Sequence, residues 1–334
     1  MDMMHTLAEL TAAYGPSGME KGVAGVIEKI AASYCDEVTY DVMGNLFCHR
    51  KGSGPRVMFA AHMDSIGLVA THIDDKGFVH VGAIGGVSPL KVLHAPVRFQ
   101  NGAHGVVCAD EGSELAKLKL SDLFIDVGAA SRDEAERLIR VGDTAVYDTR
   151  LAEAGDRAVS PYMDNRVSCL VLLMAMERIS QTENDLYFVF TTQEEVGLRG
   201  AKTAAWTVNP DYAVAVDVTP ADDQLGSKHL VSSVLGGGAA VKVMDGSVIC
   251  HPQMVEMLMS LADDRGIQAQ RDVIRAGGTD AGAIHSTRSG VYTGGISVPC
   301  RYVHSPLEMV DQNDIKACAE LVAAFAESRL KKER

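Results

Sequence analysis

The chain has 334 residues with 44 acidic and 31 basic side chains, which gives a net charge of −13 at pH 7. Phosphate contact needs clustered lysine and arginine, so this acidic excess argues against nucleic acid as a partner. Apolar residues make up 47% of the chain, enough for a large core in one domain or in a domain with an insert. The seven cysteines include no C-x-x-C pair, which is typical of free thiols in a reducing compartment.

The beginning of the chain predicts its location. Residues 1–7 lack a basic stretch followed by an apolar run, so we expect no secretory signal. No uninterrupted apolar segment reaches the ~20 residues that cross a bilayer. These patterns predict a cytoplasmic protein with no membrane partner.

Helices and strands alternate in the first part of the chain. Helices are predicted over residues 3–13 and 20–33, on either side of a Gly-Pro-Ser-Gly loop at 15–18. Strands are predicted over residues 38–40, 46–49 and 57–61. The last strand leads directly into His62-Met-Asp64, so two polar side chains follow a buried strand.

A different pattern begins near residue 73 and continues to residue 159. Short alternating segments rich in glycine predict strands over residues 78–81, 97–99, 106–108 and 124–127. One helix is predicted over residues 133–140. This pattern indicates a small, β-rich, barrel-like unit inserted into the larger domain.

After residue 160 the alternation returns, with helices predicted over 165–179, 201–207, 252–264 and 313–330, and strands over 186–190, 212–216, 269–271 and 291–297. Such alternation predicts an α/β fold with a largely parallel central sheet and helices on both faces. The main domain would then be discontinuous, formed by residues 1–72 and 160–334, with residues 73–159 as the insert.

Two adjacent acids, Glu194 and Glu195, follow the predicted strand over residues 186–190. Neighbouring carboxylates repel each other, which pushes their pKa values apart unless positive charge lies beside them. A divalent metal would supply that charge, with one glutamate as ligand and the other free to move protons. A solvated turn after a strand is the alternative, and the pair alone does not decide between them.

Ligand-type residues also mark other element ends: His62 and Asp64 follow one strand, Asp217 follows another, His304 follows a third, and Asp164 precedes a helix. Ligands of open α/β sheets bind beyond the carboxyl ends of the strands, so these side chains are expected to converge. Imidazole and carboxylate together suit zinc or a similar ion. Each residue has a simpler role when taken singly, such as a helix N-cap for Asp164. Their coincidence favours a metal site.

Asp64 has a predicted role beside His62. Residues two apart in an extended segment share a face, so the Asp64 carboxylate is placed to accept a hydrogen bond from the imidazole. Metal-bound histidines are usually oriented in this way.

Eight segments in a fixed order extend this pattern over nearly the whole chain: Gly15-Pro-Ser-Gly18, Asp41-Val-Met-Gly-Asn45, Ala61-His-Met-Asp64, Met163-Asp-Asn-Arg166, Gln193-Glu-Glu-Val-Gly197, Ala215-Val-Asp217, Gly277-Gly-Thr-Asp-Ala281 and Arg301-Tyr-Val-His-Ser305. As a set they resemble the M42 metallo-aminopeptidases, relatives of the tetrahedral aminopeptidases and of glutamyl aminopeptidase.

The resemblance implies two divalent metal ions per subunit, zinc with cobalt or manganese as alternatives. His62, Asp164 and Asp217 would hold one ion. Asp164 would bridge to the second ion, which Glu195 and His304 would also hold.

The resemblance also implies catalytic roles, with Glu194 as the general base and Asp64 orienting His62. The enzyme would remove N-terminal residues from peptides by means of a metal-activated water. Residues 73–159 would form a dimerisation domain, and the dimers would assemble into tetrahedral dodecamers. Many relatives carry an acid where this chain has Ser65, which is not a ligand position.

Two other functions stay open at this point. A related amidase, such as a deacylase or carboxypeptidase, would use the same metals but would recognise a carboxylate instead of a free amine. A scaffold without chemistry is the non-enzymatic alternative. The intact Glu194-Glu195 pair argues against it, because a scaffold needs no free base.

Overall fold

The computed structural model describes residues 1–110 and 112–332. Two helices, α1 (Met3–Ala12) and α2 (Lys21–Ala31), are followed by strands β1 (Glu37–Tyr40), β2 (Leu46–Arg50) and β3 (Arg56–His62). The Asp2 carboxylate caps α1 by accepting the backbone N–H of His5. These elements lie within a few residues of their predicted positions.

The next strands are β4 (Gly67–Ile73), β5 (Val79–Ile84), β6 (Pro96–Phe99), β7 (His104–Ala109), β8 (Leu123–Asp126) and β9 (Thr144–Tyr147), with helices α3 (Pro89–Val92) and α4 (Arg132–Leu138) between them. These strands form a closed antiparallel barrel in the order β4-β5-β8-β7-β6-β9. The barrel has its own apolar core, which includes Leu68, Val97 and Ile125. Closure leaves no unpaired strand edge among the described strands of this unit.

The remaining elements return to the main domain. They are β10 (Ala152–Ala154), β11 (Arg157–Ser160), α5 (Met163–Arg178), β12 (Asp185–Thr191), α6 (Arg199–Val208), β13 (Tyr212–Pro220), β14 (Ala239–Met244), α7 (Pro252–Arg265), β15 (Ala269–Val273), α8 (Ala281–Ile284), β16 (Tyr292–Arg301), β17 (Glu308–Asp311) and α9 (Gln312–Glu327). Across residues 1–110 and 112–332, no helix combines the length and apolar character that a membrane crossing requires.

The main sheet has eleven strands in the described chain, with β12, β3, β13 and β16 as adjacent parallel strands at its centre. Antiparallel strands extend this centre on one side through β2 and on the other through β17 and β14. The predicted α/β fold with an inserted barrel is therefore confirmed, and its parallel part is the centre of the sheet.

Side chains of β3 show why the central strands are apolar along their whole length. Val57, Phe59 and Ala61 pack into a core shared with α1, α2, α5, α7 and α9. Met58 and Ala60 point to the opposite face and pack with α6 and α8. Both faces are thus covered by helices, which is typical of parallel strands.

Strand pairing gives the extent of the barrel along the chain. The barrel begins at Gly67 with β4, so the expected boundary at 72/73 falls at the end of that strand. The boundary at 159/160 falls inside β11, which pairs with β17 of the main sheet. The barrel strands themselves lie between Gly67 and Tyr147.

Candidate metal centre

The carboxyl ends of the central strands bring His62, Asp164 and Asp217 together. His62 ends β3, and Asp217 lies in β13, which pairs in parallel with β3. The Nε2 atom of His62 lies 3.1 Å from Oδ1 of Asp164 and 3.6 Å from Oδ1 of Asp217. Asp164 lies near the start of α5 with an extended backbone, and the N-cap position of this helix belongs to Tyr162.

A second group of ligand atoms shares Asp164. The Nε2 atom of His304 lies 3.3 Å from Oδ2 of Asp164 and 3.2 Å from Oε2 of Glu195. One ligand atom each from His62, Asp164 and Glu195 lies within 4.8 Å of the other two. The Oε1 atom of Glu195 is buried and has no hydrogen-bond partner among the described residues. A buried carboxylate oxygen with a free lone pair beside two imidazoles fits a cation.

The pKa values of the histidines reflect this crowding of acids. Burial alone would lower the pKa of His62, but Asp217 and Asp164 hold it well above its ordinary value. Burial also opposes the protonation of His304, yet Asp164 and Glu195 raise its pKa to about 11. Burial, with Asp164 next in effect, raises the pKa of Glu195 to about 7. The crowded acidic side chains therefore favour positive charge at this site.

Glu194 lies at the edge of this group. Its Oε2 atom is 4.0 Å from Nε2 of His62, further than the other carboxylates that contact this imidazole through Nε2. Burial, followed by the charges of Asp217 and Asp280, raises the pKa of Glu194 well above its ordinary value. A carboxyl with a raised pKa is better matched to proton transfer near neutral pH.

Asp64 is fully buried and connects His62 to the loop after β12. Its carboxylate accepts the Ser17 hydroxyl at 2.6 Å and the backbone N–H groups of Glu194 and Glu195 at 2.9 and 3.1 Å. The Nδ1 atom of His62 lies 3.1 Å from the main-chain oxygen of Asp64 and 3.5 Å from its carboxylate. Burial would raise the pKa of Asp64, but His62 and Ser17 lower it overall. Asp64 thus contacts His62 mainly through its backbone carbonyl.

Glu308 is a site residue that the sequence did not predict. It is buried in β17, and its carboxylate accepts the backbone N–H of His304 at 2.7 Å and that of Asp164 at 2.9 Å. One side chain therefore ties together two distant stretches of the chain that contribute to the centre. No motif spacing marks this role, because the groups it binds are main-chain atoms.

Asp280 was also missed, although it lies within the Gly-Gly-Thr-Asp-Ala segment. Its carboxylate accepts the hydroxyl of Thr191, the last residue of β12, and burial raises its pKa to about 7. Thr191 is paired with His62 across the sheet, so Asp280 lies on the same side as the metal centre.

The barrel contributes a loop to the centre. The main-chain oxygen of Gly86, just after β5, lies 3.0 Å from Nδ1 of His304. A Cβ atom on Gly85 would lie 3.2 Å from Oε2 of Glu195, and Gly85 has φ of +73°. The loop therefore needs glycine to approach both ligand-type residues.

A family model described as M42 glutamyl aminopeptidase matches residues 44–321. The chain belongs to the M42 aminopeptidase family. It is 36% identical over 332 residues to the lysyl aminopeptidase of Pyrococcus furiosus, with 94% of this chain and 93% of that protein covered.

Solved structures of aminopeptidases also match this chain closely. An aminopeptidase from Desulfurococcus kamchatkensis matches with a TM-score of 0.93 and 41% identity, covering 97% of this chain and 94% of that one. The TET1 peptidase of Pyrococcus horikoshii matches with a TM-score of 0.89 and 30% identity, covering 98% and 100%.

These matches confirm the predicted resemblance. This M42 aminopeptidase is a peptide hydrolase that acts at the N-terminus of its substrate. Enzymes of the family are metal-dependent, and the group formed by His62, Asp164 and Glu195 could hold a metal ion.

Proposed function

We propose that this M42 aminopeptidase uses two divalent metal ions. His62, Asp164 and Asp217 would hold one, and Asp164, Glu195 and His304 the other. The supporting observation is that Asp164 directs its two oxygens to two different imidazoles, at 3.1 Å from His62 and 3.3 Å from His304. A carboxylate in this position is suited to bridging two cations. Zinc is the proposed ion, and the same ligands accept cobalt or manganese.

When bound, the metals would lower the pKa of a water and polarise the scissile carbonyl. Glu194 would take the proton of that water and pass it to the nitrogen of the leaving amine. A new C–O bond then replaces the C–N bond of the amide, and no group is oxidised or reduced. Glu194 suits this role because its side chain, 10% exposed, lies beside the ligand group without being among its shortest contacts.

The acidic surroundings favour release of N-terminal residues. A free α-ammonium group of the substrate would be attracted to an acidic side chain beside the metals that is not itself a proposed ligand, such as Glu194. This ranks the related deacylase or carboxypeptidase below the aminopeptidase. A panel of aminoacyl-anilides and N-acyl amino acids tests the choice, and preferential hydrolysis of the N-acyl compounds would contradict it.

Glu194→Gln tests the proposed base. The variant should retain the metal content of the parent, measured by elemental analysis, because Glu194 is not a proposed ligand. Turnover should fall ~10²–10⁴-fold, the usual contribution of general acid–base catalysis. Removing the metals with a chelator and adding back zinc, cobalt and manganese separately tests the cofactor. Parental turnover in the variant would refute the base, and a site that stays vacant at saturating metal would refute the centre.

We also propose that the enzyme is a cytoplasmic homo-oligomer. The TET1 peptidase of P. horikoshii can assemble into a tetrahedron or a large octahedral shell. By similarity, the barrel-containing segment of residues 73–159 would form dimers, and the dimers a dodecamer. Light scattering should give twelve times the 35.6 kDa of one chain. A stable monomer across a broad concentration range would contradict the assembly.

A further inference from the structure

The loop after β12 is held by side chains through four consecutive backbone N–H groups. Each group donates to an oxygen of a buried polar residue from the first 64 residues of the chain. The bonds run from Thr192 to Asn45 Oδ1 at 2.9 Å, from Gln193 to Glu20 Oε1 at 3.1 Å, from Glu194 to Asp64 Oδ1 at 2.9 Å and from Glu195 to Asp64 Oδ2 at 3.1 Å. We name these four bonds the amide ladder.

The acceptors of the amide ladder come from three separate places. Glu20 immediately precedes α2, Asn45 precedes β2, and Asp64 follows β3. Their side chains are almost completely buried, with exposed fractions of 6%, 0% and 0%. Burying a polar side chain is unfavourable unless its hydrogen bonds are made, so these residues are stable here because the loop supplies donors.

Asn45 also forms hydrogen bonds with both ends of this loop. Its Oδ1 atom accepts the Thr192 N–H, while its Nδ2 group donates to the main-chain oxygen of Gly200 at 3.0 Å. Gly200 in turn donates its own N–H to the main-chain oxygen of Thr192 at 2.9 Å. A Cβ atom on Gly200 would overlap Asn45 and Thr192, so the approach requires glycine. Asn45 thus fastens both ends of the segment that carries Glu194 and Glu195.

Glu20 acts at a residue of the loop with a left-handed backbone conformation. Gln193 has φ of +55°, a left-handed conformation that non-glycine residues adopt rarely and at a cost. Glu20 accepts its N–H and, through the same oxygen, that of Gly18 at 2.7 Å. The turn at Gln193 redirects the chain immediately before Glu194, so a change in this turn would move both glutamates.

We propose that Glu20 and Asn45 are positioning residues for peptide hydrolysis, which fix the loop backbone so that Glu194 and Glu195 face the metal centre. The inference rests on the proposed function, in which Glu194 is the base and Glu195 a metal ligand. Neither Glu20 nor Asn45 touches the substrate or a metal in this scheme. They act through the amide ladder.

The pair Glu20→Gln and Glu20→Ala separates the hydrogen bond from the charge. Glutamine keeps an Oε1 acceptor for Gly18 and Gln193, whereas alanine removes it. We expect kcat of Glu20→Gln to stay within about threefold of the parent, and kcat of Glu20→Ala to fall ~10–100-fold with a smaller change in KM, because misplacement by about 1 Å can cost ~10²-fold. Equal losses in the two variants would overturn the proposed role of Glu20.

Asn45→Ala is compared with a matched control, Asn184→Ala. Asn184 is also buried, and its Nδ2 group donates to two main-chain oxygens, those of Ala326 and Ser328, at 3.0 and 2.8 Å. Asn184 immediately precedes β12, whereas the loop that Asn45 holds follows this strand. The two asparagines therefore act at opposite ends of β12. Both variants should lose stability in urea, but only Asn45→Ala should lose kcat and bound metal.

The comparison is made per folded molecule, below the unfolding transition of each variant. Equal kcat in Asn45→Ala and Asn184→Ala would overturn the positioning role of Asn45. Failure of the proposed base is visible separately, as unchanged turnover of Glu194→Gln in the otherwise unaltered protein. The two results therefore cannot be confused.

Discussion

Replacing Glu308 with alanine removes the carboxylate that accepts the backbone N–H groups of both Asp164 and His304. Both bonds are buried, at 2.9 and 2.7 Å, and Glu308 itself is 2% exposed. Each buried donor left without a partner costs about 1–3 kcal/mol, so Glu308→Ala should lower the free energy of unfolding by about 2–6 kcal/mol. Glu308→Gln keeps one acceptor oxygen and should lose about half of that.

Urea unfolding of the metal-free protein measures this loss without a contribution from bound metal. A change of this size is a large part of the ~5–15 kcal/mol that stabilises a typical protein. Zinc affinity should fall in the same order, parent above Glu308→Gln above Glu308→Ala, because Asp164 and His304 lose their common anchor. Glu153→Ala, on the exposed strand β10, is the control and should stay within about 0.5 kcal/mol of the parent. The reasoning would be refuted if the unfolding free energy of Glu308→Ala differed from that of the parent by no more than the value for Glu153→Ala does.

Gly86→Ala should weaken zinc retention after dialysis, because its Cβ atom would lie 2.6 Å from Nδ1 of His304. Gly25→Ala in α2 has open space around it and is the control; equal zinc retention in the two variants would contradict the steric argument. The pKa values of Glu195 and His304 are raised to about 7 and about 11 from 4.5 and 6.5. Below the pKa that each group has in the unfolded chain, its contribution to the stability of the metal-free fold is fully present. This contribution is lost as the pH rises through the raised pKa of the folded state. Zinc uptake at pH 7 should therefore release protons, measured by calorimetry in two buffers of different ionisation enthalpy; identical heats would show that no proton leaves.

The ligand-type residues could be predicted because their chemistry is visible in the sequence. His62, Asp217 and Glu195 each stand at the end of a strand whose apolar run is long enough to be recognised. The carboxyl ends of parallel strands meet at one edge, so position along the chain translates into proximity. The structure brings these residues together with Asp164 and His304.

Residues that act on main-chain atoms could not be predicted in this way. Glu20, Asn45 and Glu308 bind backbone N–H groups, which every residue except proline possesses. Which N–H lies within reach depends on the tertiary structure and leaves no spacing in the sequence. Glu308 was also difficult to predict because β17 has a buried acid at each end and therefore lacks the apolar pattern of a strand.

Three other strands at the sides of the main sheet, β10, β11 and β14, were missed for a related reason. β14 carries the buried Lys242, whose ammonium pairs with Asp272 of the neighbouring strand β15. A lysine within a short segment reads as exposed, because the partner that neutralises it is distant in sequence. β10 and β11 form a short hairpin with a fully exposed outer strand, so hydrophobic periodicity carries little information there.

The amide ladder bears on how the metal centre is built. Its acceptors, Glu20, Asn45 and Asp64, are not proposed ligands. The loop that carries Glu194 and Glu195 is therefore held by hydrogen bonds to side chains that are not proposed ligands. Asp164 and His304 are likewise tied by Glu308 through their backbones. These contacts would hold the ligand-type side chains near one another, so that less ordering would be needed when a metal binds.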